Sequence, residues 1–392
     1  MPKTESEMQP QQVESVKLGI DNINQVMPVL AGKRVGLITN STGMNSHFES
    51  TVDVLYGKTN LVALFSPEHG IRGAAKAGDI VKMMIDGKTK LPVYSLYGQT
   101  KQPTPEMLAN IDVVAFDIQD VGARYYTYIY TMAYAMQSCK KLGKTMVIFD
   151  RPNPIGGIQI EGGLVKPGFE SFIGMYPIPI RHGMTVGELA QLFNKEFGIG
   201  CDLVVVPMTG WKRNMYFIDT GLPWVMTSPN IPTPDTALVY PATGVFGGTN
   251  ISEGIGTTRP FELVGAPWLD AEALAGEMMT YKLPGVLFRP AYFTPRFGLY
   301  SDETCAGVQL YITDRKVFQA VKTGISLLYA IKRQSGEKFS FKRSDNAEGA
   351  IDLVIGDDIV RTGKYPLTDL LNLWEQDAKE FGEMSKKYYL YQ

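Results

Sequence analysis

Three short apolar runs, each followed by an acidic residue, constrain the fold of this chain more than any other feature. They span residues 61–65, 113–116 and 146–149, and they lead to Glu68, Asp117 and Asp150. Apolar runs without polar alternation are typical of strands that are buried on both faces of a parallel sheet. Parallel strands end at one shared edge, where open α/β sheets bind their ligands. We therefore expect these acids to face one cleft.

Further strand and helix patterns alternate with these runs. Thr185 and Glu188 have the capping-box spacing that opens a helix, which we expect to continue to about Phe197. Such alternation predicts an α/β fold, namely a Rossmann-like, mostly parallel sheet with helices on both faces. The other elements predicted for this region are strands at 34–40, 92–97 and 203–206 and helices at 48–56 and 125–142.

The length of 392 residues predicts more than one domain. We expect a flexible N-terminal tail at 1–15, a Rossmann-like catalytic domain at 16–265 and a smaller α+β C-terminal auxiliary domain at 266–392 that closes one wall of the cleft. Segments dense in Gly, Pro and polar residues predict long functional loops at 228–234 and 244–262. The auxiliary domain should contain helices at 269–281, 317–333 and 367–387 and strands at 286–293 and 307–313.

Composition and motifs limit the classes of function. The formal net charge of −2 and the absence of a long basic run argue against a nucleic-acid partner, and no run of about 18 apolar residues predicts a membrane span. The turn at 40–43 has no P-loop lysine and no dinucleotide-binding glycine pattern, so a nucleotide site has little support. Cys139, Cys201 and Cys305 are scattered, and we expect buried thiols rather than a disulfide framework or a zinc site.

Carboxylates dominate the predicted sheet edge. Paired carboxylates suit glycoside hydrolysis, in which one protonates the leaving oxygen and another serves as base, nucleophile or electrostatic support. Glu68 is the favoured acid because Gly70 and Gly73 would let its loop move. Metal-assisted hydrolysis competes with this interpretation. The three histidines form no zinc-binding cluster, but a hard-cation site of Asp and Glu stays open.

Five segments also carry a family resemblance. They are Ser66-Pro-Glu-His-Gly70 and the stretches at 117–128, 150–157, 181–189 and 252–262. In order and in register, they closely resemble motifs of the exo-β-N-acetylmuramidase family, and the match runs from about Val16 to the C-terminus. The resemblance implies a hydrolase that removes terminal N-acetylmuramic acid from the non-reducing ends of peptidoglycan fragments. It also implies a Rossmann-like catalytic domain and a smaller C-terminal domain, and it places the family's proposed catalytic glutamate at Glu68.

The residues and the resemblance together give a hypothesis for the site. Glu68 is the general acid, His69 tunes or positions it, and Asp120, Asp150 or Glu253 is the second carboxylate. N-acetylmuramic acid carries a lactyl carboxylate, so an arginine should grip it through two parallel hydrogen bonds. The arginine candidates are Arg124, Arg151, Arg181 and Arg259. Other predicted substrate contacts lie at strand ends or in the long loops: Asn40, Asp117, Tyr125, Tyr128, Asn153, His182, Asn230 and Asn250.

Several alternatives stay open at this point. The chain is expected to be a glycosidase without cofactor or metal, acting on a peptidoglycan-derived sugar. A muropeptide-binding protein without catalysis and a metal-dependent cell-wall hydrolase or amidase are the competing classes. The course of the reaction is inverting, retaining or assisted by the substrate's own acetamido group. We also expect an exported protein, periplasmic or secreted, whose signal peptide is absent from this sequence.

Overall fold

The computed structural model describes residues 15–67, 71, 84–98, 100–345 and 349–392. Its main sheet has seven strands in the order β3-β4-β2-β1-β5-β6-β7, and every neighbouring pair is parallel except β3 with β4. The strands are β1 (Arg34–Thr39), β2 (Asn60–Ser66), β3 (Met84–Ile85), β4 (Pro92–Ser95), β5 (Val113–Asp117), β6 (Thr145–Phe149) and β7 (Asp202–Val206). The predicted mostly parallel sheet is confirmed.

The order of the strands reverses between β1 and β5. The chain winds outward from β1 to β2 and β4, then returns to place β5 on the other side of β1, where Thr39 pairs with Asp117. In open α/β sheets, the crevice at such a reversal, outside the carboxyl ends of the strands, is where ligands bind. The loops that follow β1, β5 and β6 therefore surround the place where the fold predicts a site.

Helices pack on both faces of this sheet. They are α1 (Met27–Leu30), α2 (Thr51–Lys58), α3 (Pro105–Leu108), α4 (Tyr128–Leu142) and α5 (Val186–Lys195). The predicted capping box of α5 is present: the Thr185 hydroxyl accepts from the Glu188 N–H, and the Glu188 carboxylate accepts from the Thr185 N–H. Alternate residues of β1 enter two hydrophobic clusters, Ile38 on one face and Leu37 on the other, so both faces are buried.

The smaller unit is built on a three-stranded antiparallel sheet in the order β8-β10-β9. Its strands are β8 (Leu263–Ala266), β9 (Val286–Phe293) and β10 (Cys305–Ile312), and the predicted boundary between 265 and 266 falls inside β8. The helices of this part of the chain are α6 (Pro234–Thr243), α7 (Ala271–Thr280), α8 (Ala320–Ser335), α9 (Ala350–Ile355), α10 (Ile359–Thr362) and α11 (Leu367–Ser385). None of the helices in the described ranges is long and apolar enough to cross a membrane.

Helix α6 lies between two segments predicted as loops. Its two prolines, Pro234 and Pro241, obscure the helical pattern in the sequence. Thr233 nevertheless caps the first turn, and Pro234 occupies the first helical position, where proline is tolerated. Helix α8 packs closely against it, because a Cβ on Gly324 would lie only 1.8 Å from the carbonyl oxygen of Ala242. This contact joins the smaller unit to the end of α6.

Candidate functional site

A crevice opens at the carboxyl ends of β1, β5 and β6, where the strand order reverses. Its polar lining comes from the loops after these strands. The polar and loop residues that line it are Thr42, Met44, Asn45, Gln119 and Arg151, and the apolar residues are Leu18, Phe48, Phe217, Leu222, Pro223 and Val225. We call it the switch-point crevice.

The loop after β1 is held by its own side chains. Asn40 is buried, and its Oδ1 accepts from both the N–H of Thr42 (2.9 Å) and the Thr42 hydroxyl (2.6 Å). The Thr42 hydroxyl oxygen in turn accepts from the N–H of Gln119 (2.9 Å), which joins the loops after β1 and β5. Asn40, predicted as a substrate contact, therefore shapes the loop that carries Thr42 to the crevice.

Asp117 and Arg151 form a buried, two-bonded ion pair beside the crevice. Arg151 Nε lies 2.5 Å from Asp117 Oδ1 and Nη2 lies 2.8 Å from Oδ2, and the hydroxyl of Thr51 also donates to Asp117. Nη2 further donates to the carbonyl of Met44 at 2.7 Å. Nη1 makes no hydrogen bond to any residue that the structure describes. The pair orients a guanidinium that lines the crevice and has one nitrogen left for a ligand.

Asp120 and His182 meet behind the same strand end. Both are buried, and His182 Nε2 lies 3.7 Å from Asp120 Oδ2, which accepts from the N–H of Gly122 at 2.7 Å. The other ring nitrogen, Nδ1, accepts from the N–H of Met184 at 3.2 Å. Asp120 Oδ1 and His182 Nε2 have no hydrogen-bond partner within the described ranges. Burial, and to a lesser degree the charge of Asp120, raises the pKa of Tyr126.

Asp150, at the end of β6, has a different set of hydrogen-bond partners. Its Oδ1 accepts from the N–H groups of Arg151 and Gly187, and its Oδ2 accepts from the hydroxyls of Thr185 (2.8 Å) and Tyr391 (2.6 Å). Burial, reinforced by the charge of Glu188, raises its pKa to about 7. Four donors occupy this fully buried carboxyl group, so Asp150 binds the start of α5 and the C-terminal residues rather than a ligand, and its contacts do not fit a catalytic role.

Two of the four candidate arginines are also committed to the interior. Arg124 donates to the carbonyls of Gly163, Ile178, Val354 and Ile355, and Arg181 donates to Gln159, to Glu161 at 2.8 Å and to the carbonyl of Ile155 at 2.5 Å. Both side chains are fully buried. The prediction that either grips a substrate carboxylate is therefore corrected: each holds backbone segments together.

The remaining predicted contacts are distributed over the molecule. The hydroxyl of Tyr125 donates to the carbonyl of Tyr240, and that of Tyr128 donates to the carbonyl of Thr227. Asn153 Nδ2 donates to the carbonyl of Met184, next to His182. Asn250 bonds the backbone of Lys338 and Ser340, far along the chain. These four residues are engaged with protein groups.

Three further candidates lie in the loops around α6 and β8. Arg259 pairs with Glu262 at 3.0 Å and its side chain is 58% exposed, so it remains accessible. Glu253 lies in the same loop, where burial raises its pKa. Asn230 is partly exposed just before α6. None of the three lines the switch-point crevice.

Glu68 and His69 lie outside the described residues. The structure does place the end of β2, at Ser66, next to the end of β1, so the chain leaves the sheet at the predicted edge and beside the crevice strands. Sequence reasoning missed Thr42 and Gln119, although both stand inside segments that it singled out. It also missed Tyr391, for which the sequence carries no local signal.

A wider groove lies between the 157–162 loop and α11. Its lining includes Glu161, whose carboxylate accepts from Arg181 and from the N–H groups of Ala320 and Val321 at the start of α8. It also includes Arg213, which pairs with Glu188 at 2.7 Å. These two charged groups are saturated by the protein. Within the described part of the chain, no group of three or more His, Cys, Asp and Glu side chains is placed to hold a metal ion.

Comparison with known proteins decides the family. The family model described as "Exo-beta-N-acetylmuramidase NamZ, N-terminal" matches residues 35–235, and its C-terminal counterpart matches residues 238–391. The chain belongs to the NamZ exo-β-N-acetylmuramidase family. All residues of the switch-point crevice except Leu18 fall within the N-terminal model of NamZ.

Similar proteins span nearly the whole chain. The peptidoglycan β-N-acetylmuramidase NamZ of Bacillus subtilis is 52% identical over 382 residues, which are 96% of this chain and 91% of that protein. Two crystal structures of DUF1343 family proteins from Bacteroides fragilis also match. One has a TM-score of 0.89 at 40% identity and covers 96% of this chain and 99% of its own. The other has a TM-score of 0.77 at 30% identity and covers 97% and 99%.

Proposed function

We propose that this chain is an exo-acting glycoside hydrolase that releases terminal β-linked N-acetylmuramic acid from the non-reducing ends of peptidoglycan fragments. The observation that carries the proposal is the 52% identity, over 96% of the chain, to a peptidoglycan β-N-acetylmuramidase. The crevice at the strand reversal supports it, because this is where a Rossmann-like sheet offers a site. It contains a guanidinium suited to an anionic sugar.

Arg151 is the proposed partner of the lactyl carboxylate. Among the four candidate arginines it is the one that lines the switch-point crevice, and Asp117 fixes the plane of its guanidinium through two hydrogen bonds. Its Nη1 points to no protein acceptor among the described residues, so a carboxylate can bind it without displacing the ion pair. A charge-assisted hydrogen bond contributes roughly 1.5–3 kcal/mol. This contact would favour muramic acid over glucosamine.

Glu68 is proposed as the general acid and Asp120 as the second carboxylate. In the sequence, Glu68 follows β2 by two residues and Asp120 follows β5 by three, and the strands β2 and β5 lie on opposite sides of β1. As the glycosidic bond breaks, Glu68 would protonate the leaving oxygen while Asp120 accepts hydrogen from the attacking group. Asp120 is preferred to Asp150 because one of its oxygens has no partner in the described part of the protein.

Hydrolysis of a chromogenic β-N-acetylmuraminide, measured beside the corresponding N-acetylglucosaminide, tests this function. We expect release from the muraminide alone, with Glu68→Gln inactive at an unchanged melting temperature. Tight binding of the muraminide without turnover would replace the proposal with a sugar-binding role. Loss of activity to a chelator, restored by a divalent cation, would replace it with metal-assisted hydrolysis. The anomer that is released first distinguishes an inverting course from a retaining one.

We also propose that the protein works outside the cytoplasm, in the periplasm or as a secreted enzyme. The support is chemical, since peptidoglycan fragments arise where the cell wall is cut. Fractionation of the producing cell, followed by detection with an antibody, tests this location. Recovery with a cytoplasmic marker enzyme would contradict it.

A further inference from the structure

The geometry of His182 fixes which of its two nitrogens carries a proton. His182 is completely buried, and its Nδ1 accepts a hydrogen bond from the N–H of Met184 at 3.2 Å. A ring nitrogen that accepts cannot also carry a hydrogen, so the proton of the neutral imidazole is on Nε2. Nε2 lies 3.7 Å from Asp120 Oδ2 and has no other partner within the described ranges. Among the described residues, the acceptor recorded near this N–H is Asp120 Oδ2, which lies beyond hydrogen-bond distance.

The backbone on both sides holds this arrangement in place. Asn153 Nδ2 donates to the carbonyl of Met184 at 3.0 Å, so the residue that fixes the imidazole is itself fixed. On the other side, Gly122 donates its N–H to Asp120 Oδ2 and has a φ of +83°, a conformation that favours glycine. A Cβ at this position would lie 2.5 Å from Asn153 Oδ1. The loop that carries Asp120 and the imidazole of His182 are therefore held in fixed relative positions.

Asp120 Oδ1 is the unusual atom in this arrangement. It is buried and has no hydrogen-bond partner in the described structure. A buried polar atom without a partner costs roughly 1–3 kcal/mol, so proteins seldom keep one without a use for it. By contrast, Asp117 and Asp150, at the ends of β5 and β6, have both carboxyl oxygens bonded. Asp120 therefore has one buried carboxylate oxygen that no donor among the described residues satisfies.

We propose that His182 is a positioning residue that acts through Asp120. Its Nε2–H dipole lies 3.7 Å from Oδ2, beyond hydrogen-bond distance, and stabilises the Asp120 carboxylate electrostatically, while Oδ1 receives hydrogen from the attacking group. This inference rests on the proposed function. As the nucleophile bonds to the anomeric carbon and the glycosidic bond breaks, the nucleophile's proton passes to Asp120 and the leaving oxygen takes its proton from the general acid. His182 gains and loses no proton in this sequence.

Two conservative variants separate this role from a structural one. In His182→Gln, the side-chain amide nitrogen reaches the position of Nε2, so a donor toward Asp120 is kept. In His182→Asn, the side-chain oxygen reaches the position of Nδ1, so the hydrogen bond from Met184 is kept and the donor toward Asp120 is lost. A purely structural histidine is replaced better by Asn, whereas a histidine that positions Asp120 is replaced better by Gln.

We expect His182→Gln to keep kcat on the muraminide within about tenfold of the wild type, and His182→Asn to lose about 10²–10³-fold with little change in KM. The loss should fall on kcat rather than KM, because the interaction acts on the reacting carboxylate and not on substrate binding. Equal activity of the two variants, or a loss confined to KM, would overturn the proposal.

A measurement on the unmodified protein covers the case in which neither variant folds. The chain has three histidines, so its ¹⁵N-histidine spectrum can be assigned by single substitutions. We expect His182 to be the Nε2–H tautomer, with an Nε2–H signal that shifts in Asp120→Asn. An Nδ1–H tautomer would refute the positioning role. This readout needs no turnover, so it stands apart from the muraminide assay that tests the enzyme itself.

Discussion

Asp150 should make the folded protein less stable as the pH rises. Burial raises its pKa from the ordinary 3.8 to about 7, so the folded state holds a proton that the unfolded chain releases. Stability due to this group is complete below about pH 4 and is lost as the pH passes through 7. At 1.36 kcal/mol per pH unit, the difference between the two pKa values corresponds to about 4 kcal/mol.

The variant Asp150→Asn isolates this effect, because an amide resembles the protonated acid in shape and does not titrate. We expect the free energy of unfolding of the variant to exceed that of the wild type by an amount that grows from near zero at pH 4 to as much as about 4 kcal/mol at pH 8. Urea unfolding followed by tryptophan fluorescence measures the difference at each pH. Asp302→Asn is a control, since it makes the same change at an exposed side chain.

The opposite outcome has a clear meaning. Four donors reach the Asp150 carboxyl group, and donors of this kind favour the ionised form. If the variant loses stability relative to the wild type as the pH rises, these hydrogen bonds outweigh burial and Asp150 is a carboxylate at neutral pH. A pH-independent difference would show that the group does not titrate between pH 4 and pH 8. Either result would refute the reasoning.

Four further predictions concern single substitutions. Glu68→Gln should abolish muraminide hydrolysis in the chromogenic assay with little change in melting temperature. Arg151→Lys keeps a charge but not the planar fork and should raise KM for the muraminide about 10–100-fold, whereas Arg259→Lys should change KM less than threefold. Tyr391→Phe removes the hydroxyl that donates to Asp150 and should cost about 1–3 kcal/mol in urea unfolding. Gly324→Ala should lower the melting temperature strongly, because its Cβ would clash with the backbone of α6.

Eight of the ten strands in the described residues were predicted, because a local run of strand-forming residues marks each of them, whereas β3 and β8 were not predicted. The prediction for β9, 286–293, coincides with the observed Val286–Phe293, and the capping box of α5 is where Thr185 and Glu188 predict it. The three cysteines are buried free thiols, as expected. Helix α4 begins at Tyr128 rather than Tyr125, because Ala123 and Tyr126 form a hydrogen-bonded turn. Local sequence patterns therefore predict the presence of an element better than the residue at which it begins.

Long-range partners could not be predicted from pattern. Arg124 is bonded to carbonyls 39 to 231 residues away, and Tyr391 reaches Asp150 across 241 residues. An arginine beside a strand end resembles a ligand-binding residue in sequence, whether its donors face a cleft or a ring of carbonyls. Only the packing of distant segments decides this, so two of the four arginine predictions changed role once the fold was known.

Asp117, Asp120 and Asp150 lie at the same edge of the main sheet, but their hydrogen-bond partners give them different roles. Both carboxylate oxygens of Asp117 accept hydrogen bonds from the guanidinium of Arg151, so Asp117 contributes to binding by orienting a cation toward the crevice. Both carboxyl oxygens of Asp150 accept hydrogen bonds from the start of α5 or from the C-terminal residues. Asp120 Oδ2 accepts a hydrogen bond from the Gly122 N–H and lies near His182 Nε2, and Oδ1 is unpaired among the described residues. If an acid at the end of β5 or β6 takes part in the chemistry, the arrangement of donors selects Asp120, and a fully active Asp120→Asn enzyme would remove all three from the reaction.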